Sequence, residues 1–190
     1  MPLGAARFGL LGGVADLGKL ELLQTQTISS ATADFTTVLD VSTYNVHLFT
    51  LTDCHVTAQT EFGIRVSDDS GSSFETANYE FANQRGYSNG SGFAERKSQS
   101  QGSIRLGGDV TTDTNSVFNG YFYMYNAGDS STFTFFTSHN TFTQGGIGTM
   151  EFGNGVYAVA STVNGIRIGE GASTTAFTSG KISAYGIAES

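Results

Sequence analysis

The chain has one cysteine, one proline and few charges, and each scarcity removes a class of protein. Cys54 stands alone in 190 residues, so there is no intramolecular disulfide framework, and no CxxC or Cys/His spacing suggests a zinc site. A lone cysteine of this kind reads as a small buried hydrophobe. It fits a reducing compartment, and equally an extracellular protein that dispenses with the residue. Lysine and arginine total 9 against 17 acids, for a net charge of −8. The bases are scattered from Arg7 to Lys181 with no stripe to neutralise phosphates, which argues against nucleic acid and anionic membranes as partners. No apolar run approaches the ~18 residues of a membrane-spanning helix, so membrane insertion is not expected.

What fills the gap is hydroxyl, amide and glycine. Charged residues make up 14% of the sequence, against ~25% in ordinary globular domains, so the surface must be built largely from Ser, Thr, Asn, Gln and Gly. The 25 glycines with the single Pro2 suit many tight turns and few proline-braced loops. Between those turns lie segments rich in Thr, Val, Ile, Phe and Tyr, residues that favour pleated, half-buried strands. A chain of this length makes one domain and buries roughly 70% of its unfolded surface, enough for a core without staples.

Residues 1–19 lack any alternating pattern and read as an extended N-terminal arm, with Arg7, Phe8, Leu10 and Leu11 as its anchoring candidates. Its short apolar run only partly matches a secretory leader, because four glycines up to Gly13 interrupt it. Residues 20–190 form the β-domain, a succession of strand candidates at 20–28, 33–39, 44–52, 60–67, 72–81, 103–110, 117–126, 132–139, 146–152, 156–163, 165–168 and 181–187. No ten-residue helical period appears. Regular short strands between turn signals predict an antiparallel all-β sandwich or barrel. Tyr44, Val46 and Leu48 alternate with Asn45 and His47, which puts His47 on the polar side of its strand. In "YFYMY" (121–125) both faces are bulky, so that strand is expected to be covered on both sides or to enter a subunit interface.

The stretch 82–102 is polar, rich in Gly and Ser, and reads as a long surface loop. Arg85, Tyr87, Asn89, Phe93 and Arg96 are its candidate contact residues, and Asn89-Gly90-Ser91 is a glycosylation sequon that matters only in a glycosylating pathway. No catalytic pattern meets its spacing requirement. "AGDSS" (127–131) lies between aromatic strands without the strand-to-helix elbow of a hydrolase, and reads as a hairpin turn. "GGIG" (145–148) has no following helix or lysine to cradle phosphate. His47, His55 and His139 are dispersed, and Asp68-Asp69-Ser70-Gly71 lacks the alternating oxygens of a calcium loop. Neither a cofactor nor a metal is expected.

Four segments taken in order carry a resemblance: "MPLGAARFGLL", "LELLQTQTISSATADFTTVLDVSTYNVHLFTLTDC", "GIRVSDDSGSSF" and the closing "VNGIRIGEGASTTAFTSGKISAYGI". Together they resemble a group of small tailed-bacteriophage structural proteins that close on a G-x-i-s-x-Y-G-i strand. That resemblance implies a jelly-roll-like β-sandwich at the virion surface, of fibre, tail-tip or accessory type, commonly trimeric and without catalytic residues. It implies other virion proteins as partners, a homo-oligomer, and host attachment with a host-surface glycan as one possible target. Capsid decoration and a carbohydrate-binding module, with Tyr87, Phe93 or the tyrosines of "YFYMY" as platform, stand beside it. The closing strand is expected to place Ile182 and Ala184 on one face and Tyr185 and Ile187 on the other. At 190 residues the chain is too short for a long fibre shaft.

Overall fold

The computed structural model describes residues 19–90, 92–169 and 177–188, and the described residues form twelve strands with no helix. In chain order these are β1 (Lys19–Thr27), β2 (Ala33–Phe35), β3 (Val46–Val56), β4 (Thr60–Ser67), β5 (Tyr79–Tyr87) and β6 (Phe93–Gln101). They continue with β7 (Ile104–Val110), β8 (Phe118–Tyr125), β9 (Thr134–Gln144), β10 (Ile147–Tyr157), β11 (Gly165–Ile168) and β12 (Phe177–Ala188). One sheet runs β1-β12-β3-β8-β9-β10-β5-β6 and the other β2-β11-β4-β7, with every pairing antiparallel.

The strand order has a simple decomposition. Set aside β5, β6, β9 and β10, and the remainder is β1-β12-β3-β8 facing β2-β11-β4-β7. That is the wrapped order of an eight-stranded jelly roll, in which the first strand pairs with the last and the second with the next to last. The other four strands are two hairpins, β5–β6 inserted between β4 and β7, and β9–β10 inserted between β8 and β11. Both extend the larger sheet beyond β8 in the order β9-β10-β5-β6.

Alternation drives the sandwich together. In β4, Phe62, Ile64 and Val66 are buried, in one core with the inward side chains of β3, β8 and β12. Phe35 sets its edge on Phe49 across the layers at 5.6 Å, Phe49 stacks on Phe122 at 4.7 Å, and Phe62 lies between Phe118 at 4.4 Å and Phe177 at 4.8 Å. Each buried phenylalanine contributes roughly 1.5–3 kcal/mol from the area removed from water. β9 and β10 are joined by Gly145-Gly146, both at positive φ (56° and 77°). This two-residue turn matches the twist of the strands and sets the register that pairs Gln144 with Ile147.

Four expectations change, and the first is the strand expected at 72–81: residues 72–78 are irregular and β5 begins only at Tyr79. The stretch 82–102 is largely the β5–β6 hairpin, its polar composition reflecting an edge strand and a set of buried polar side chains. Residues 156–163 form no separate strand: Val156 and Tyr157 end β10, and 158–163 are irregular. In β3 the sense of the alternation is reversed, since His47, Phe49 and Leu51 point inward while Val46 and Leu48 lie half-buried on the outer face. The closing strand is as read. Ile182 and Ala184 are buried, Tyr185 and Ile187 face outward, and β12 is held between β1 and β3.

Candidate interaction face and the ion network beneath it

The inserted hairpins meet the small sheet through charge. On the inner side of β5, Arg85 is fully buried and its Nε donates to Glu151 Oε2 of β10 at 2.8 Å, with Nη2 at 2.7 Å from the same oxygen. Its Nη1 donates to Asp109 Oδ2 at 2.9 Å and to Gln144 Oε1 of β9 at 3.0 Å. Asn83 Nδ2 donates to Glu151 Oε1 at 3.0 Å and to the Arg105 carbonyl at 3.0 Å. Arg105 of β7 pairs with Glu61 and lies 3.6 Å from Glu151 Oε1. Asp109 reaches the network because a bulge in β7, where Thr60 pairs with Val110 but Phe62 with Gly107, turns it to a left-handed φ of 61° that aspartate tolerates. Gly153 lies directly under Asn83, where a Cβ would collide with the amide.

Burial opposes the charge on Arg85, but Glu151 and the hydrogen bonds to Asp109 and Glu151 outweigh it and raise its pKa. On Arg105 burial outweighs Glu151 and Glu61, and the pKa falls. Both guanidinium groups remain charged at neutral pH. Each carboxylate of the cluster is engaged by a guanidinium, so the cluster acts as a brace holding β5, β9, β10 and β7 in one geometry.

The opposite face of the larger sheet is apolar over much of its width. One row across the strands reads Leu20, Ile187, Val46, Tyr125, Phe135, Val156, and the next reads Leu22, Tyr185, Leu48, Tyr123, Thr137, Asn154, Ala82. A third row carries Tyr121, His139 and Phe152, with the His139 ring edge-on to both aromatics at 6.0 and 6.1 Å. Leu20, Leu22, Tyr121, Phe135, Met150 and Phe152 are all exposed. The tyrosine side of "YFYMY" therefore faces outward, while Phe122 and Met124 are core. Beyond β8 the face becomes a trough of about 810 Å³ lined by Tyr125, Phe135, Thr137, Asn154, Ala82 and Lys97. A second depression of about 500 Å³ adjoins it at Phe152 and Gln84.

The loop candidates are divided by this geometry. Arg85 is no surface residue, and Arg96 also points to the inner side of its strand, half-buried. Phe93 lies with Met150 over Gly86 in a depression of about 430 Å³ at the hairpin end, whereas Tyr87 turns to the inner side, where its side chain hydrogen-bonds Arg85, and Asn89 sits in the exposed turn. Arg7, Phe8, Leu10 and Leu11 lie outside the described residues. Sequence reading missed Phe135, Phe152 and Asn154; the available signal was the Gly145-Gly146 turn, which marks 134–157 as one hairpin and places Phe135 and Phe152 on the same face.

The remaining reactive groups are occupied or inert. His47 is completely buried with no hydrogen-bond partner for either ring nitrogen, and burial pushes its pKa down to about 4 against a minor opposing pull from Asp40. Burial pushes the Cys54 thiol up to about 12. The Asp69 carboxylate accepts from Ser73 N at 2.9 Å, Ser73 Oγ at 2.7 Å and Ser67 Oγ at 2.7 Å, bracing a turn and holding its pKa down at about 2. Asp129, in the β8–β9 connection, accepts from Ser131 N at 2.8 Å and Ser131 Oγ at 2.6 Å. Among the described residues no group of three His, Cys, Asp or Glu is placed to hold a metal ion. Comparison with known proteins finds no matching family model, no matching curated protein and no matching solved structure.

Proposed function

We propose that this chain is a non-catalytic structural protein of a tailed-phage particle, fixed to other virion proteins near its N-terminus and presenting its β-domain for host attachment. The observation that carries this reading is the exposed aromatic face of the larger sheet. A face so rich in exposed aromatic and aliphatic side chains is a contact surface. Its ionisable counterparts on the inner side are spent on bracing rather than gathered in a cleft. The likeness of four sequence segments to phage structural proteins supports the setting.

The geometry also suggests a division of labour. Residues 1–18 lead into β1, the sheet edge where Leu20 and Leu22 are 52% and 59% exposed. The trough lies toward the opposite edge, up to seven strand spacings away, or ~34 Å. Assembly contacts, including those of a homo-oligomer, belong at the β1 side, and attachment belongs at the hairpins. The test is deletion of residues 1–18. Particles are expected to lose the chain while the isolated protein keeps its β-sheet circular dichroism and thermal midpoint, and particles without it are expected to adsorb poorly to host cells. Unchanged adsorption with loss of heat resistance would instead make it a capsid decoration protein.

A further inference from the structure

The trough on the inserted hairpins has a chemistry that selects its ligand. The depressions of about 810 and 500 Å³ share Ala82, Lys97, Thr137 and Asn154, so they form one channel across β9, β10, β5 and β6. Its aromatic groups are Phe135 and Phe152, 45% and 42% exposed. Phe135 pairs with Val156, four residues along β10 from Phe152, which separates the two rings by ~13 Å along the strands. Thr137 and Asn154 occupy the interval. Between the rows the floor is formed by the small side chain of Ala82, so a flat ligand can approach the sheet there.

The polar groups narrow the choice. Among the described residues, the side-chain amides of Gln84, Gln99 and Asn154 face the channel without an intramolecular hydrogen bond. An amide offers donor and acceptor together, the complement of a hydroxyl that does the same. The cation in the channel, Lys97, is neutralised by Glu95 at 2.9 Å, and Glu80 adds negative charge. Nothing there compensates an anionic chain. A ligand with apolar ring faces, hydroxyl edges and no charge fits all of these features.

We propose that this channel binds an uncharged oligosaccharide, with pyranose rings stacking on Phe135 and Phe152 and hydroxyls between them bonded by Asn154, Gln84 and Gln99. This rests on the reading of the chain as an attachment protein and names its target class. The test applies the intact chain to a printed array of neutral gluco-, galacto-, manno- and N-acetylglucosamine oligosaccharides, beside sulfated and sialylated sets. Titration calorimetry then follows on the best neutral ligand. Binding of a neutral oligosaccharide is expected, weakened about tenfold or more by Phe135→Ala and by Phe152→Ala and less by Asn154→Ala, with the thermal midpoint unchanged. The far-side variant Leu22→Ser is expected to bind as the unmodified chain does. A blank neutral array, binding confined to charged glycans, or binding that survives both phenylalanine substitutions overturns the proposal. None of these outcomes touches the particle assignment, which the deletion of residues 1–18 decides separately.

Discussion

The eight jelly-roll strands and the two inserted hairpins share one continuous sheet but are held in different ways. In the jelly roll the layers meet through phenylalanine, with Phe35, Phe49, Phe62, Phe118, Phe122 and Phe177 in stacked or edge contact. Where the hairpins lie over β7, Tyr79, Phe136, Phe142 and Tyr157 still join the apolar core, but the layers also meet through Arg85, Glu151, Arg105, Asp109 and Asn83. Apolar packing is forgiving of small shifts, whereas a buried ion pair demands specific distances and angles. The difference teaches that the added strands are held to a defined geometry, which the proposed role of their outer face as a binding channel requires.

The largest effects are expected at the centre of the network and in the jelly-roll core. Glu151→Ala removes the acceptor shared by Arg85 and Asn83 and leaves the buried Arg85 charge compensated only from the Asp109 side, at a cost of about 3–4 kcal/mol. Chemical denaturation measures the loss, and hydrogen exchange should place it first in β5, β6 and β10. The double variant Arg85→Met/Glu151→Leu is expected to be less damaging than Glu151→Ala, because it removes both charges together. Phe122→Ala, in the jelly roll, should cost about 3–4 kcal/mol. Its exchange protection should fall across all strands together. Equal exchange patterns for Glu151→Ala and Phe122→Ala would erase the distinction between the two regions.

A smaller effect comes from His47, which sits on the jelly-roll side between β12 and β8 and beside Tyr44. Its folded pKa of about 4 lies below the ordinary 6.5, so between these values the unfolded chain binds the proton that the folded chain refuses. The stability this provides is complete above pH 6.5 and is lost as the pH falls toward 4, amounting to roughly 3 kcal/mol. His47→Leu should flatten that part of the stability profile, while groups titrating in both proteins, Asp40 and Glu21 among them, leave their common slope. An unchanged profile would mean that the imidazole is solvated.

Much of the jelly roll was legible in the sequence, and little of the hairpins was. β4 and β11 coincide with their predicted spans because Phe62, Ile64, Val66, Ile166 and Ile168 announce burial by themselves. The closing strand was readable for the same reason. Arg85 and Asn83 give no such signal: their burial depends on Glu151, 66 and 68 residues away, and a polar strand whose partners lie far along the chain looks like a loop. The reversed sense of β3 has a related cause. Alternation gives the period of a strand but not which side faces the core, and both sides of β3 carry large residues, Val46 and Leu48 outside and Phe49 and Leu51 inside.

The central claim is that the two ends of the outer face do different work, assembly at β1, β12 and β3 and attachment at the hairpins. Hydroxyl-radical footprinting of the chain, free in solution and within intact particles, tests this directly. Leu20, Leu22 and Tyr185 are expected to be protected in the particle, with Phe135, Met150 and Phe152 still labelled until host cells are added. Protection of the hairpin residues in particles alone, with the β1 side left reactive, would contradict the account.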